Sequence, residues 1–288
     1  MSNEVQNPKV LILGGTGFLG TELSRLLALR HEVQVMNRAD GIDLENPNPD
    51  SLRAYIQKNQ IEVLLLVAAM TDVDLCLKDP MKSRQINFLG YQKLLLPLVN
   101  SGIKPVLFSS NNVFSGVNAF SVESETPKPS MVYGQHKVEL ETWITENFSN
   151  GVVFRTARIL SSSDHAKNPI SDLSRKLKAG IELTLTSDRK LTPVSAKDVA
   201  SAVEAVLLCK LNGTFHLAMN AGYTWFEIGR AIKNKLGSST VIHESESRDI
   251  TGREIRPVNS TLSNQKAQQE LGLKFQSLDE VIEEYFKS

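Results

Sequence analysis

The sequence has little cysteine, no long hydrophobic run and no excess of either charge. Its two cysteines, Cys76 and Cys209, belong to no Cys-x-x-Cys motif, so we expect both to pack in the core of a reduced, cytoplasmic protein. Basic and acidic residues number 32 each, so nothing favours binding to nucleic acid or to a membrane surface. No apolar run approaches the roughly 18 residues that span a bilayer, and the N-terminal sequence is polar. The five histidines lack metal-ligand spacing, so no metal site is predicted.

The stretch 9–27 joins a buried-strand pattern, a glycine turn and a helix start without a gap. An apolar run over 10–13 is typical of a parallel strand covered on both faces, and 21–31 has leucines at helical spacing. Between them lie Gly14, Gly15, Gly17 and Gly20. Glycines permit a tight turn and close approach to phosphate, and the helix start offers free N–H groups. The pattern predicts a dinucleotide site, with a purely structural turn as the alternative. No Gly-Lys-Ser/Thr follows, so it is not a P-loop.

Apolar runs alternate with helical patterns, which predicts an α/β fold built on a doubly wound parallel (Rossmann) sheet. Strands are predicted over 10–13, 32–36, 63–68, 105–109, 152–155 and 214–217, and helices over 21–31, 49–59, 80–101 and 132–148. We expect a cofactor-binding domain over 1–158 and 191–220, and an interleaved, smaller substrate-binding lobe over 159–190 and 221–288. Within 192–208, Asp198 is predicted to cap a helix. Trp143 and Trp225 fall in helical patterns and are predicted to pack in the interior.

The end of the second predicted strand indicates which nicotinamide cofactor is bound. Asn37 and Arg38 follow this strand, where an acidic residue would hold a ribose 2′-hydroxyl and an arginine accommodates a 2′-phosphate. A guanidinium can form a bidentate, charge-assisted contact with phosphate. NADP (NADPH) is therefore favoured over NAD, with a merely solvated Arg38 as the alternative.

A tyrosine and a lysine four residues apart predict the reacting groups. On a helix, Tyr133 and Lys137 face the same side, and a neighbouring ammonium lowers the pKa of a phenol. Ser109 and Ser110 end a predicted strand, at the sheet edge where ligands of doubly wound folds bind. We predict nicotinamide-dependent redox chemistry, with Ser110 hydrogen-bonded to a carbonyl oxygen, and with an inert helix and strand end as the alternative.

Several segments together resemble the dTDP-4-dehydrorhamnose reductases, a group of extended short-chain dehydrogenase/reductases. VLFSSNNVFSG at 106–116, followed by YGQHK, is similar to their S-T-D-Y-V-F-D-G segment and catalytic Y-x-x-x-K. AAMTDVDLCLKDP at 68–80 resembles A-A-x-T-x-V-D, INFLG at 86–90 an Asn-bearing helix, and FRTARIL at 154–160 the F-R-T segment. GREIRPVNSTLSNQKAQQELGL at 252–273 resembles the closing R-P-x-x-S-x-L segment.

The resemblance implies a set of site residues, with Ser110, Tyr133 and Lys137 catalytic. NADP would be bound by Gly14, Thr16, Gly17, Phe18, Leu19, Asn37, Arg38, Asp43, Leu44, Ala68, Ala69, Met70, Asn87, Ser109, Tyr133 and Lys137. The substrate would be bound by Asn111, Val113 and Arg158. Two segments depart from the family pattern: Asn111 and Asn112 replace an acidic residue and a tyrosine, and Arg158 replaces an aromatic residue. Arg158 is expected to meet a carboxylate or phosphate, or else to be a solvated arginine.

The resemblance implies an NADPH-dependent reductase of a nucleotide-activated 4-keto-6-deoxysugar, with a tyrosine as proton donor. It extends to the regulatory β subunit of methionine adenosyltransferase, so a non-catalytic NADP-binding subunit is an alternative. A third hypothesis is an extended short-chain enzyme that acts on a non-sugar carbonyl or imine. The family tendency to dimerise makes a homodimer a further expectation.

Overall fold

The computed structural model describes residues 7–209, 211–246, 254 and 256–287; the other positions of the two predicted domains lie outside the described residues. The strands are β1 (Val10–Leu13), β2 (Val33–Met36), β3 (Val63–Leu66), β4 (Lys104–Ser110), β5 (Val152–Thr156), β6 (Ile159–Leu160), β7 (Leu183–Thr186), β8 (Lys190–Leu191), β9 (Val194–Ser195), β10 (Gly213–Leu217), β11 (Ile242–Ser245) and β12 (Asn259–Ser260). The α-helices are α1 (Phe18–Leu27), α2 (Pro49–Asn59), α3 (Val73–Lys78), α4 (Pro80–Arg84), α5 (Gly90–Leu95), α6 (Val132–Asn147), α7 (Pro169–Lys178), α8 (Ala196–Leu208), α9 (Trp225–Leu236), α10 (Gln265–Leu271) and α11 (Leu278–Lys287).

Six parallel strands form the central sheet, in the order β2-β1-β3-β4-β5-β10. Side chains of a strand alternate between faces, so Val10 and Ile12 pack with α1 and α8, whereas Leu11 and Leu13 pack with α2, α5 and α6. Every residue of β1 and β3 is buried, as their uninterrupted apolar runs require. The predicted α/β fold with a doubly wound parallel sheet is confirmed.

A third hydrophobic cluster lies apart from the sheet and joins α7, α9 and α11. It includes Leu173, Ile228 and Ile282, and the short parallel pair β7-β11 lies beside it. Helix α10 instead packs its Ala267 and Leu271 against the central sheet. The assignment of these regions to a cofactor domain and a substrate lobe stays a prediction.

Several local features differ from the sequence-based expectations. Helix α1 begins at Phe18, directly after the glycine turn, and the helix predicted over 80–101 contains a π-helical turn at Gln85–Leu89. The cap of α8 is Ser195, whose hydroxyl accepts the N–H of Asp198 at 2.9 Å, so the prediction that Asp198 caps this helix was wrong. Cys209 is exposed because it follows the last residue of α8, whereas Cys76 is buried as predicted. No helix in the described ranges is both long and apolar enough to span a membrane.

Candidate active site

A cleft of about 1730 Å³ lies at the carboxyl edge of the central sheet. Because the six strands are parallel, the residues that follow them meet at this edge. The cleft is lined there by Gly14 after β1, Asn37 after β2, Ala68 after β3, Ser110 at the end of β4 and Thr156 at the end of β5. The opposite wall comes from β7, β8, the start of α9 and the described residues around 256–260.

The glycine loop brings the backbone close to the sheet and leaves the start of α1 open. Gly14 has φ +103°, and a Cβ there would lie 2.6 Å from the backbone nitrogen of Ala68. A Cβ on Gly20 would lie 2.3 Å from the carbonyl oxygen of Gly14. Gly17, the N-cap of α1, supplies no side-chain cap, and it lines the cleft together with Phe18. The first N–H groups of α1 are therefore available to an anionic group.

An arginine and a carboxylate line the cleft in the segment that follows β2. The Arg38 side chain is 69% exposed, and its Nη2 lies 3.1 Å from Oδ2 of Asp43. The backbone N–H of Glu45 is the main cause that holds the pKa of Asp43 below its usual value, and Arg38 also lowers it. Asn37 caps the short turn Arg38–Asp40 by accepting the N–H of Ala39 at 2.8 Å. Nη1 of Arg38 also lies 3.8 Å from Oε1 of Glu45. Arg38 is thus at the cleft surface, and a ligand there would compete only with exposed ion pairs, which contribute little to stability.

Tyr133 and Lys137 both line the cleft from α6, one helical turn apart. The Lys137 ammonium donates to the carbonyl oxygen of Phe108 at 3.0 Å and lies 5.7 Å from the centre of the Tyr133 ring. Burial lowers the pKa of Lys137 to about 8, and burial raises the pKa of the Tyr133 phenol. The phenol therefore retains its proton at neutral pH, and burial opposes the expected lowering of its pKa by Lys137.

Ser110 and Asn111 line the same cleft as Tyr133 and Lys137. The Ser110 hydroxyl donates to Oδ1 of Asn111 at 3.2 Å and accepts the N–H of Asn112 at 3.1 Å. Nδ2 of Asn111 donates to the carbonyl oxygen of Ser260 at 3.1 Å, on the opposite wall. An amide can accept and donate at once, whereas an ionised carboxylate only accepts. Asparagine at this position therefore connects the serine to the opposite wall.

A buried charged network lies directly beneath these residues. The Ser109 hydroxyl donates to the Glu141 carboxylate, which also pairs with Arg155 through Nη2 at 2.7 Å and through Nε at 3.1 Å. Nη1 of Arg155 lies 3.4 Å from Nε2 of His216, and burial and this guanidinium lower the pKa of His216 to about 3. The Ser109 hydroxyl, predicted to contact the cofactor, is thus bonded to the protein interior.

Among the described residues, three predicted site residues do not line the cleft: Met70, Asn87 and Val113. The buried Asn87 amide donates to the Met70 carbonyl at 3.0 Å and accepts the Met70 N–H at 2.9 Å, so it orders the loop after β3. Val113 follows β4 in a short turn that directs its fully buried side chain toward Phe114 and Leu262. The other predicted site residues line the cleft.

The opposite wall contains residues that the sequence did not single out as part of a site. Trp225, predicted to pack in the interior, lines the cleft with the Arg158 guanidinium 5.4 Å from its ring centre. Glu254 accepts the N–H of Val132 at 2.7 Å and so caps α6. Arg256 also lines the cleft. It belongs to the segment 252–273 noted above, of which positions 252, 253 and 255 lie outside the described residues.

Comparison with known proteins gives a consistent result across the whole chain. Spore coat polysaccharide biosynthesis protein SpsK of Bacillus subtilis (strain 168) is 28% identical over 286 residues, covering 97% of each chain. dTDP-4-dehydrorhamnose reductase of Escherichia coli (strain K12) is 24% identical over 277 residues, covering 92% of each chain. The crystal structure of dTDP-4-dehydrorhamnose reductase from Bacillus anthracis str. Ames in complex with NADP has a TM-score of 0.90 at 21% identity, covering 98% of this chain and 99% of that one. The family model described as RmlD substrate binding domain matches residues 8–288, and the chain therefore belongs to that family.

Proposed function

We propose that this protein is an NADPH-dependent reductase of a nucleotide-activated 4-keto-6-deoxysugar. The observation that supports this most directly is the presence of Ser110, Tyr133 and Lys137 in one cleft with the glycine loop. A serine, a protonated phenol and an ammonium side by side are suited to carbonyl reduction. The names of the relatives, which include dTDP-4-dehydrorhamnose reductases over most of their length, support the sugar substrate.

The residues at the sheet edge fit an NADP cofactor. The backbone of Gly14 approaches Ala68 too closely for any side chain, and the uncapped start of α1 suits a pyrophosphate. Arg38 suits a 2′-phosphate, which would replace Asp43 as its partner. When bound, NADPH supplies a hydride to the carbonyl carbon.

The chain's own residues supply the proton and the orientation. The Ser110 hydroxyl would hold the carbonyl oxygen, and the Tyr133 phenol would give its proton to that oxygen as it becomes an alcohol. Burial keeps the phenol protonated until then. The phenolate that remains is stabilised by the ammonium of Lys137, which the Phe108 carbonyl holds near the ring. A proton from solvent then restores the phenol.

Replacement of the phenol tests this proposal. We expect Tyr133→Phe to lower NADPH oxidation with a 4-keto-6-deoxysugar nucleotide by about 10²- to 10⁴-fold, the usual contribution of a general acid. NADPH affinity should remain close to that of the wild type, because the lost hydroxyl is at the reacting end of the site. Tyr55→Phe is the matched control, since the Tyr55 hydroxyl bonds to Gln34 outside the cleft.

Two outcomes would contradict the proposal in different ways. Full turnover by Tyr133→Phe would refute the role of this phenol as proton donor. Wild-type protein that binds NADPH but reduces no keto-sugar nucleotide would refute the reductase activity and favour the non-catalytic subunit.

A further inference from the structure

Three arginines line the cleft: Arg158 follows β5 at the sheet edge, and Arg189 and Arg256 lie on the opposite wall. Arg158 is exposed at the cleft. Partial desolvation within the cleft is the main cause that lowers the pKa of Arg158 and of Arg189, and the charge of Arg256 lowers both further. The charge of Arg256 is therefore close enough to act on each of the other two guanidinium groups. Nε of Arg189 and Nε of Arg256 are buried, and neither has a hydrogen-bond partner within the described part of the chain. The part of the cleft that these three arginines line is suited to an anionic ligand.

Within the described residues, two of the three arginines have a carboxylate nearby, and Arg158 does not. Nη2 of Arg256 lies 3.0 Å from Oδ2 of Asp74, and Asp188 stabilises the charge of Arg189. Arg158 instead faces an aromatic ring, with its Cζ 5.4 Å from the centre of the Trp225 ring. Among the residues that the structure describes, no carboxylate forms an ion pair with Arg158. An indole face fixes the plane of a guanidinium but leaves its N–H groups free to bind a ligand.

Arg158 is also placed near the reacting end of the cleft. It follows β5 closely, and Thr156 at the end of β5 is paired in register with Ser110. The backbone of Arg158 is fixed as well, because its carbonyl oxygen accepts the N–H of Val194 at 3.0 Å. A ligand group that contacts this guanidinium would therefore belong to the sugar end of the substrate.

We propose that Arg158 binds a carboxylate on the sugar, so that the preferred substrate is an acidic keto-sugar nucleotide. This inference rests on the reductase activity of the proposed function and replaces its 6-deoxysugar by a sugar that bears a carboxylate. The planar fork of a guanidinium matches the two oxygens of a carboxylate, and such charge-assisted pairs are the stronger hydrogen bonds. A neutral methyl group at the same place would leave the arginine without a partner.

The diphosphate of any nucleotide sugar is the competing ligand for these arginines. Arg189 and Arg256 have the unpartnered Nε atoms, and they lie on neighbouring segments, since the Lys190 N–H donates to the Val258 carbonyl at 2.9 Å. If Arg158 only assisted the diphosphate, it would not distinguish an acidic sugar from a neutral one. A pair of ligands with the same diphosphate separates the two roles.

Calorimetric binding to the NADP⁺-loaded protein tests the inference with two such product analogues, UDP-galacturonate and UDP-galactose. They differ only in a carboxylate that replaces a hydroxymethyl group. We expect the wild type to bind the acid more tightly by about 10- to 100-fold, the range of one charge-assisted hydrogen-bonded pair. Arg158→Gln should reduce this preference to within about threefold, and Arg158→Lys should retain part of it, because the charge remains without the fork.

Arg230→Gln is the matched control. Arg230 also lies over an aromatic ring of α9, with its Cζ 5.7 Å from the centre of Phe226, but it does not line the cleft. It should leave the preference for the acid unchanged, and the melting temperature of each variant checks folding. Equal affinity of the wild type for the two ligands, binding of neither, or an equal loss of both in Arg158→Gln overturns the inference. Turnover of neutral keto sugars is measured separately, so failure of the reductase proposal is distinguishable.

Discussion

Replacement of Lys137 by methionine should remove activity and at the same time stabilise the cofactor-free protein. The lysine is 1% exposed, and burial lowers its pKa from 10.5 to about 8. One pKa unit corresponds to about 1.4 kcal/mol, so the charged ammonium costs the folded state roughly 3 kcal/mol at neutral pH. Methionine has a similar length and no charge.

The predicted gain is smaller than this cost, because Lys137→Met also removes a hydrogen bond. The Phe108 carbonyl loses the donor that now lies at 3.0 Å, and an unpaired buried acceptor costs about 1–3 kcal/mol. We therefore expect Lys137→Met to raise the free energy of unfolding at pH 7 by about 1–2 kcal/mol. Urea denaturation measures this difference, with the exposed Lys58→Met as a control expected to stay within about 0.5 kcal/mol of the wild type.

The pH dependence provides the more discriminating result. The cost of the buried charge is fully present below pH 8. Between pH 8 and 10.5 the unfolded chain binds more protons at this lysine than the folded protein, so wild-type stability rises relative to the variant. Both proteins share Tyr133, so the titration of its phenol largely cancels in the comparison. A variant that is less stable at pH 7, or a difference that stays constant up to pH 10.5, would refute this reasoning.

Two further substitutions test the loop and the network beneath the cleft. Gly14→Ala should destabilise the protein and abolish NADPH binding, because its Cβ would lie 2.6 Å from the Ala68 nitrogen. Gly102→Ala is the control for backbone strain alone, because Gly102 has φ +86° and an added Cβ there would meet nothing within 4 Å. Equal melting temperatures for the two variants would contradict the predicted clash. Arg155→Met should lower the free energy of unfolding by about 3–5 kcal/mol by leaving the Glu141 carboxylate buried and unpaired. Adding Glu141→Gln should recover part of that loss in chemical denaturation, and purely additive effects would show that the pair is not coupled.

Local sequence patterns predicted the part of the site that depends on a single element and the turn beside it. The glycine turn at Gly14 follows an uninterrupted apolar run, and the spacing of Tyr133 and Lys137 is that of one helical turn. The periods of strand and helix determine where such side chains point. The parallel sheet then brings Ser110 to the same edge, as its place at a strand end indicated.

Contacts between distant segments were beyond the reach of such patterns. Asn87 and Val113 match site positions implied by the family resemblance. However, the Asn87 amide bonds to the Met70 backbone, and the Val113 side chain packs in the interior. Trp225 packs against the third hydrophobic cluster, as its helical pattern predicted, but the pattern did not reveal that the first turn of α9 also faces the cleft. Whether a side chain meets a ligand or the protein depends on tertiary packing, which no short window of sequence specifies.

The cap on α6 comes from a segment distant in the sequence. The first N–H of the helix that holds Tyr133 is satisfied by Glu254, whose own N–H donates to Asp74 at 3.0 Å. A helix start usually obtains its cap from residues adjacent in sequence, whereas here the donor at Val132 depends on a carboxylate 122 positions away. Loss of this contact would leave the Val132 amide without its acceptor. Hydrogen exchange at the Val132 amide would thus report on the contact between Glu254 and the start of α6.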